Sequence, residues 1–381
     1  MEAITLLQKL RDHQEEMTTD LRWLVEMESP STDKKALDRF ARALASRLQD
    51  EGLTVEVIPT DGYGDHVRAV LGNGPDQILV LCHMDTVWPL GEVKRRPVRI
   101  EAGKLYGPGA FDMKAGIVQT LWAARALQRS WAKLERRKVV LLYNSDEEVG
   151  SPSSRSVIEE EARRSKFVLV LEPARPGDGG LKLWRKGVAQ FTVRVTGKSS
   201  HSGSEPEEGA SAVHELCHQV LQICSLADAK AGTTINVGVI RGGIRVNVVA
   251  AEAEAEVDVR AVTDSELERV VRAIESLRAA SPGTTVTVTG GINRPPMPLL
   301  PGTQILYEQA RVLAAELGFD LPGGGTGAGS DGNLTAHLGV PTLDGLGARG
   351  SGSHAVHECV ELDSLPERTA LLLLLLTKAR V

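Results

Sequence analysis

The sequence predicts an α/β protein in which a mixed, helix-covered sheet is interrupted by an inserted ferredoxin-like α+β unit. Three observations predict it. Short apolar runs ending in histidine or acids, Ile78 to Pro89 above all, read as buried strands that deliver polar side chains at their carboxyl ends. Helical stretches separate these runs, which is the βαβ rhythm of a parallel or mixed sheet. From about Arg185 the order becomes strand, helix, strand, strand, helix, strand, that of a ferredoxin-like unit.

Residues 3–28 and 33–51 read as two helices joined at Ser29-Pro30-Ser31. Strands are expected near 53–58, 66–71 and 78–83. From Met113 to about Ser130, Ile117, Leu121, Ala124 and Leu127 share one helical face. Strand, helix, strand then repeats through 138–143, 153–162 and 167–171. In the insert, Val188 to Val195 alternates as a half-exposed strand, and a helix is expected from about Pro206 to Leu226. Strands at 233–240 and 250–260, a helix at 263–279 and a strand at 284–289 complete it, and Pro295-Pro296 returns the chain. A chain of 381 residues is too long for one ordinary core. The expected division is 1–185 and 296–381 for a catalytic domain, with 186–295 inserted.

Composition excludes several classes. The net charge of -6 lacks the basic balance of a nucleic-acid binder. The six leucines Leu371 to Leu376 are far short of the roughly 20 residues of a membrane span. No apolar leader follows the charged amino terminus. Cys82, Cys217, Cys224 and Cys359 form no CxxC pair and suggest a reducing, cytoplasmic setting.

The chemistry gathers at strand ends. His83 and Asp85 lie two apart, so on an extended backbone they share a face, where one could hold a metal while the other orients it. A lone histidine there is usually just a satisfied polar residue. Here, however, Asp112 follows the run Lys104 to Gly109, Asp146-Glu147-Glu148 follows Val139 to Tyr143, Glu172 follows Phe167 to Leu171, and His354 stands near the carboxyl end. Histidine and carboxylate in this succession are ligands for Zn²⁺.

The stretches 83–87 (HMDTV), 106–116 (YGPGAFDMKAG), 146–150 (DEEVG) and 171–173 (LEP), with the late His354, resemble the metal-binding motifs of the dinuclear zinc hydrolases. That superfamily includes acetylornithine deacetylase, succinyl-diaminopimelate desuccinylase and glutamate carboxypeptidase, and the resemblance runs in order over nearly the whole chain. It implies two Zn²⁺ per subunit, with Co²⁺ or Mn²⁺ as substitutes. Asp112 would bridge them, His83 and Glu172 would complete one position, and Glu148 and His354 the other. Glu147 would be the general base, and the Asp112–Met113 peptide bond would be cis. Asp85 would accept the His83 imidazole N–H. His354 is favoured over His357 because an acid, Glu358, and an apolar strand follow it.

The resemblance also makes the insert a dimerisation or lid domain whose His201 reaches the partner subunit's site in a homodimer. Asn247, Arg260 and Arg294 fall where the family contacts a substrate carboxylate, with Gly329 and Ser330 as backbone donors. One departure is that a family lysine falls at Gly180, with Lys182 on the same strand face as a substitute.

Competing patterns are weaker. His214-Glu215-Leu216-Cys217-His218 fits HExxH, but Val213, Leu216, Cys217, Val220 and Cys224 read as that helix's buried stripe, and no third ligand follows. No GxSxG elbow occurs, and the glycines from Gly323 to Gly332 lack a phosphate-loop lysine. The expected function is therefore a zinc amidohydrolase acting on a small N-acyl amino acid or peptide, cutting an amide next to a free carboxylate as a glutamate-type carboxypeptidase. An N-acyl-amino-acid deacylase is the alternative within the class, and a metal-dead binding protein is the one outside it.

Overall fold

A computed structural model describes residues 2–381. The chain opens with α1 (Ala3–Asp12), α2 (Gln14–Glu26), α3 (Lys34–Asp50), β1 (Thr54–Ile58), β2 (His66–Leu71) and β3 (Asp76–His83). It continues through α4 (Glu92–Arg95), β4 (Arg99–Glu101), β5 (Lys104–Tyr106), α5 (Ala115–Gln128), β6 (Arg137–Asn144), α6 (Arg155–Arg163), β7 (Phe167–Val170) and β8 (Leu181–Arg185). Next come β9 (Gly187–Thr196), α7 (Ala212–Cys224), β10 (Thr234–Gly242), β11 (Glu252–Ala261), α8 (Asp264–Glu275) and β12 (Thr285–Arg294). The last are α9 (Pro301–Glu316), β13 (Gly323–Thr326), α10 (Asp331–His337), β14 (Thr342–Leu343), β15 (Gly350–Ser351), β16 (Cys359–Glu361) and α11 (Ser364–Lys378).

Two units form. The first runs to Trp184 and resumes over Pro298–Thr326 and Ser330–Val381; the second is Arg185–Met297 with Gly327–Gly329.

The first unit is built on a six-stranded sheet in the order β1-β2-β6-β3-β7-β14. β3 pairs parallel with β6 and with β7, β7 parallel with β14, and β2 antiparallel with β1 and β6, so the sheet is mixed. Period-two alternation sends Ile78, Val80 and Cys82 into one apolar layer and Leu79 and Leu81 into the other, each residue buried. That is why the run reads as continuously apolar. α5 is buried around nearly its whole circumference, not on one face, because it lies between β3 and helices α2 and α11. The first expected helix is broken at His13, whose backbone leaves helical geometry and whose ring packs on Trp122 and Trp131.

The second unit has a four-stranded sheet, β10-β11-β9-β12, antiparallel throughout. With α7 after β9 and α8 after β11, this is a split βαβ arrangement. Ala189, Phe191, Val193 and Val195 of β9 and alternate residues of β11 face those helices, while Gln190, Thr192, Arg194, Glu254 and Glu256 do not enter that core. The buried stripe of α7 differs from the one expected. It consists of Ala212, Glu215, Leu216, Gln219 and Ile223, leaving Cys217 and Cys224 exposed. Glu215 joins the buried face because its carboxylate takes the N–H groups of Ala280 and Ser281 and the Gln219 amide.

Candidate metal centre

The sheet order decides where the site lies. β6, β3 and β7 are adjacent and parallel, and His83 stands opposite Asn144 in register. Their carboxyl ends therefore open side by side, the position where open α/β sheets gather ligands. From β3 comes His83, from the 3₁₀ turn Glu147–Val149 after β6 come Glu147 and Glu148, and just past β7 comes Glu172.

Asp112 arrives on the tight turn Ala110–Lys114 that leads into α5, and its peptide bond to Met113 is cis. His354 arrives on the connection between β15 and β16 with φ 60. That left-handed conformation disfavours any residue but glycine by about 1–2 kcal/mol, so the surrounding turn must impose it.

These side chains converge. His83 Nε2 lies 3.2 Å from Asp112 Oδ1 and 3.4 Å from Glu172 Oε1. His354 Nε2 lies 3.5 Å from Asp112 Oδ2 and 3.1 Å from Glu148 Oε2. Asp112 thus turns one oxygen to each histidine. Glu147 also points inward, since its carboxylate falls within 4.8 Å of ligand atoms of His83 and Glu172. The turn geometry aims both adjacent glutamates into one site, which an extended backbone could not do.

His83 is oriented by its own strand end. Its Nδ1 donates to the backbone carbonyl of Asp85 at 2.9 Å, and because a carbonyl only accepts, Nε2 keeps its lone pair for the site. The Asp85 carboxylate faces the same ring nitrogen and also holds the neighbouring turn. Its Oδ1 stands 3.5 Å from Nδ1, while its oxygens accept the N–H groups of Glu147 and Glu148 at 3.1 Å each and the Ser31 hydroxyl at 2.7 Å. Asp85 therefore fixes the Glu147-Glu148 turn, and its main chain fixes the imidazole.

The electrostatics call for a cation. Burial, reinforced by Asp112 and Asp85, pushes the Glu148 carboxyl up to about 7. His354, hydrogen-bonded to Glu148, is raised to about 9. Burial opposes charge on His83, yet Asp112, Asp85 and Glu172 hold it well above its ordinary value. Glu148 Oε1 is buried without a hydrogen-bond partner, which leaves that oxygen open to an ion. Two ligand atoms on one tetrahedral Zn²⁺ sit about 3.3 Å apart. The 3.1 to 3.5 Å spacings above match that edge pair by pair, and His83 with Asp112 and Glu148, and His83 with Glu147 and Glu172, each bring three ligand atoms within 4.8 Å of one another, so the residues present fit a metal ion.

Other expected residues fall in the second unit or elsewhere. His201 and Asn247 are exposed neighbours there, the Ser202 N–H donating to the Asn247 carbonyl at 3.1 Å. His201 Nδ1 accepts the N–H groups of Gly203 and Ser204, which leaves its proton on Nε2. Arg294 ends β12, is buried, and lies against Gly329, where an added Cβ would meet Arg294 Cδ at 3.1 Å. Arg185 holds that loop through the carbonyls of Ala328 and Gly329.

Two of the expected substrate contacts have partners within the chain. The Arg260 fork is filled by Asp258, with bonds of 2.7 and 2.8 Å, because β11 places the two residues on one face. The Ser330 backbone N–H is occupied by Asn333 Oδ1 in the capping box that starts α10, so Ser330 offers no backbone donor. His214 and His218 are exposed on α7, and the acid between them is the buried Glu215, not a base beside a metal.

Sequence reasoning missed how the ligand turns are held. Asp146 captures the backbone N–H groups and hydroxyls of Ser153 and Ser154, and Glu358 captures the turn that carries Asp112. Both donor sets include main-chain groups, which have no signature in the sequence.

Comparison with known proteins agrees with this geometry. Residues 79–378 match the family described as peptidase family M20/M25/M40. The chain belongs to that family. Carboxypeptidase G2 from Pseudomonas sp. (strain RS-16) is 31% identical over 95% of this chain and 89% of its own length. Acetylornithine deacetylase from Erwinia tasmaniensis is 30% identical over 73% of this chain and 76% of its own. Among solved structures, aminopeptidase PepT from Bacillus cereus ATCC 10987 superposes with a TM-score of 0.76 at 23% identity, over 94% of this chain and 97% of that one. Membership of the M20/M25/M40 family makes this chain a hydrolytic enzyme of the peptidase and amidohydrolase type. Among the described residues no helix is long and apolar enough to cross a membrane.

Proposed function

We propose that this chain is a two-zinc amidohydrolase that cleaves an amide beside a free carboxylate, as a glutamate-type carboxypeptidase. The observation that carries the reading is Asp112, whose Oδ1 faces His83 and Oδ2 faces His354 within a half-buried acidic cluster. His83, Asp112 and Glu172 would hold one Zn²⁺, and Asp112, Glu148 and His354 the other. When bound, such a pair lowers the pKa of a shared water and polarises the scissile carbonyl.

Glu147, its N–H fixed by Asp85, takes the proton of the attacking water on its carboxylate and passes it to the leaving nitrogen. His201, with its proton on Nε2, supplies a hydrogen bond to the developing oxyanion. In this reading the second unit is a dimerisation or lid domain, and His201 acts in the partner subunit's site of an isologous cytoplasmic homodimer. Arg294 and Asn247 would take the substrate carboxylate. Lys182, buried 3.8 Å from Glu172 Oε2, would stand in for the family lysine that falls at Gly180.

The likeness to carboxypeptidase G2 over nearly both chains supports a carboxypeptidase over a deacylase. The test is hydrolysis of a panel of N-acyl amino acids and α- and γ-glutamyl conjugates by zinc-depleted and zinc-refilled protein. Zinc-dependent release of glutamate is expected. Preference for small N-acyl groups, irrespective of the amino acid, would make the enzyme a deacylase, and turnover unaffected by zinc depletion would reject the metal reading.

A further inference from the structure

Glu358 lies four residues past His354, and its side chain is buried to 1% exposure. Its carboxylate receives hydrogen bonds at both oxygens. Oε2 accepts the Gly109 N–H at 2.8 Å and the Trp88 indole N–H at 2.9 Å; Oε1 accepts the N–H groups of Phe111 at 2.9 Å and Asp112 at 3.0 Å. A carboxylate offers about four lone-pair sites, so none remains for a metal or a substrate. Glu358 is therefore not a ligand, although it is an acid beside the site.

Its bonds fall in an informative place. Three of the donors are backbone groups of the turn that projects Asp112. The Glu358 backbone N–H meanwhile closes the His354 turn on the Ala355 carbonyl at 3.0 Å, and its carbonyl takes the Gly107 N–H at 3.3 Å. One residue thus ties the turn carrying His354 to the turn carrying Asp112. The arrangement is braced from outside. Arg96 stacks over the Trp88 ring at 4.0 Å and donates to the Val356 carbonyl at 3.0 Å, inside the same His354 turn. A buried acid that served only to satisfy a loop would not need to join these two turns.

We infer that Glu358 is a positioning residue that sets the Asp112 carboxylate relative to His354. It thereby determines the affinity of the metal position formed by Asp112, Glu148 and His354, more than that of the position formed with His83 and Glu172. The inference rests on the two-zinc reading above. His83 and Glu172 hang from β3 and β7, so of the ligands at their position only the shared Asp112 is set by Glu358, whereas at the other position both Asp112 and His354 sit on turns that Glu358 joins.

The test uses Glu358→Gln in the full-length protein. The substituted amide keeps the shape but turns an NH₂ toward one pair of N–H donors, losing two of the four bonds whichever way it rotates. Zinc-depleted protein is titrated against a chromogenic chelator to obtain both zinc dissociation constants, and thermal unfolding of the metal-free form is recorded alongside. One zinc equivalent should bind about 10- to 100-fold more weakly, the scale of a lost outer hydrogen-bond partner, while the other, which shares only Asp112 with it, should weaken clearly less; equal weakening of both would overturn the inference. At subsaturating zinc kcat should fall with KM little changed, and excess zinc should restore part of it. A lower metal-free unfolding temperature with both zinc constants unchanged would overturn the inference and leave Glu358 a fold residue only. If Glu358→Gln does not fold, Trp88→Phe decides, since it removes one donor and should weaken the same single equivalent more mildly; unchanged constants there also overturn it. Asp112→Asn is the control for the underlying reading. If that variant bound both zinc ions as tightly as wild type, the two-zinc assignment itself would fail, whatever Glu358 did.

Discussion

Glu147 shows at the level of one residue how neighbours of the same type acquire different roles. It and Glu148 share an anchor in Asp85, yet Glu148 faces Asp112's histidine partner His354 while Glu147 faces His83 and Glu172. Glu147→Ala should therefore keep both zinc equivalents by metal analysis and lose at least about 10²-fold in turnover, as befits a removed general base. If zinc leaves with the activity, Glu147 is a ligand. The residues that converge here were legible because histidine and carboxylates at successive strand ends are a chemical pattern. Three details were not. The Asp85 carboxylate holds the Glu147-Glu148 turn, Arg260 is paired with Asp258, and the Ser330 N–H is taken by Asn333 Oδ1 in the box that starts α10. Each depends on where a backbone N–H or a same-face neighbour points, which residue type alone does not encode.

Elements were legible where burial is one-sided or complete, and misread where a polar group is buried with its partners. β3 declared itself through an unbroken apolar run, and its alternation into two layers follows from strand geometry. α7 did not, because Glu215 occupies the core face. Burial disfavours its charge, but Ser281, Ala280 and Gln219 outweigh that and bring the carboxyl from 4.5 down to about 2. A folded-state pKa below the unfolded one means stability that is present above about 4.5 and lost as the pH falls toward 2. Glu215→Gln should therefore lower the unfolding midpoint at pH 7, and its gap to wild type should shrink as the pH drops from 4.5 toward 2. A gap that stays constant across that range would show that the charge on Glu215 contributes nothing.

For the whole molecule, the two-unit division was legible as a change of rhythm near Arg185, and the units meet along the chain at Trp184 and Arg185 and again at Met297 and Pro298. The return of Gly327–Gly329 to the second unit was not, because a glycine-rich loop carries no periodicity to place it. All five proposed ligands belong to the first unit and His201 to the second. If each His201 completes its neighbour's site, homodimers of His201→Ala and of Glu147→Ala should both be inactive. Mixed dimers would hold one site with an intact Glu147 and an intact partner histidine, so subunit exchange should restore part of the activity. Demonstrated exchange without recovery would place His201 within its own chain or outside catalysis. The central claim, that this cluster holds two metals bridged by Asp112, is tested most directly by zinc-edge anomalous diffraction from zinc-loaded crystals. Two peaks about 3.5 to 4 Å apart are predicted, with Asp112 between them, His83 and Glu172 on one, and Glu148 and His354 on the other. A single peak, or peaks away from these residues, would contradict it.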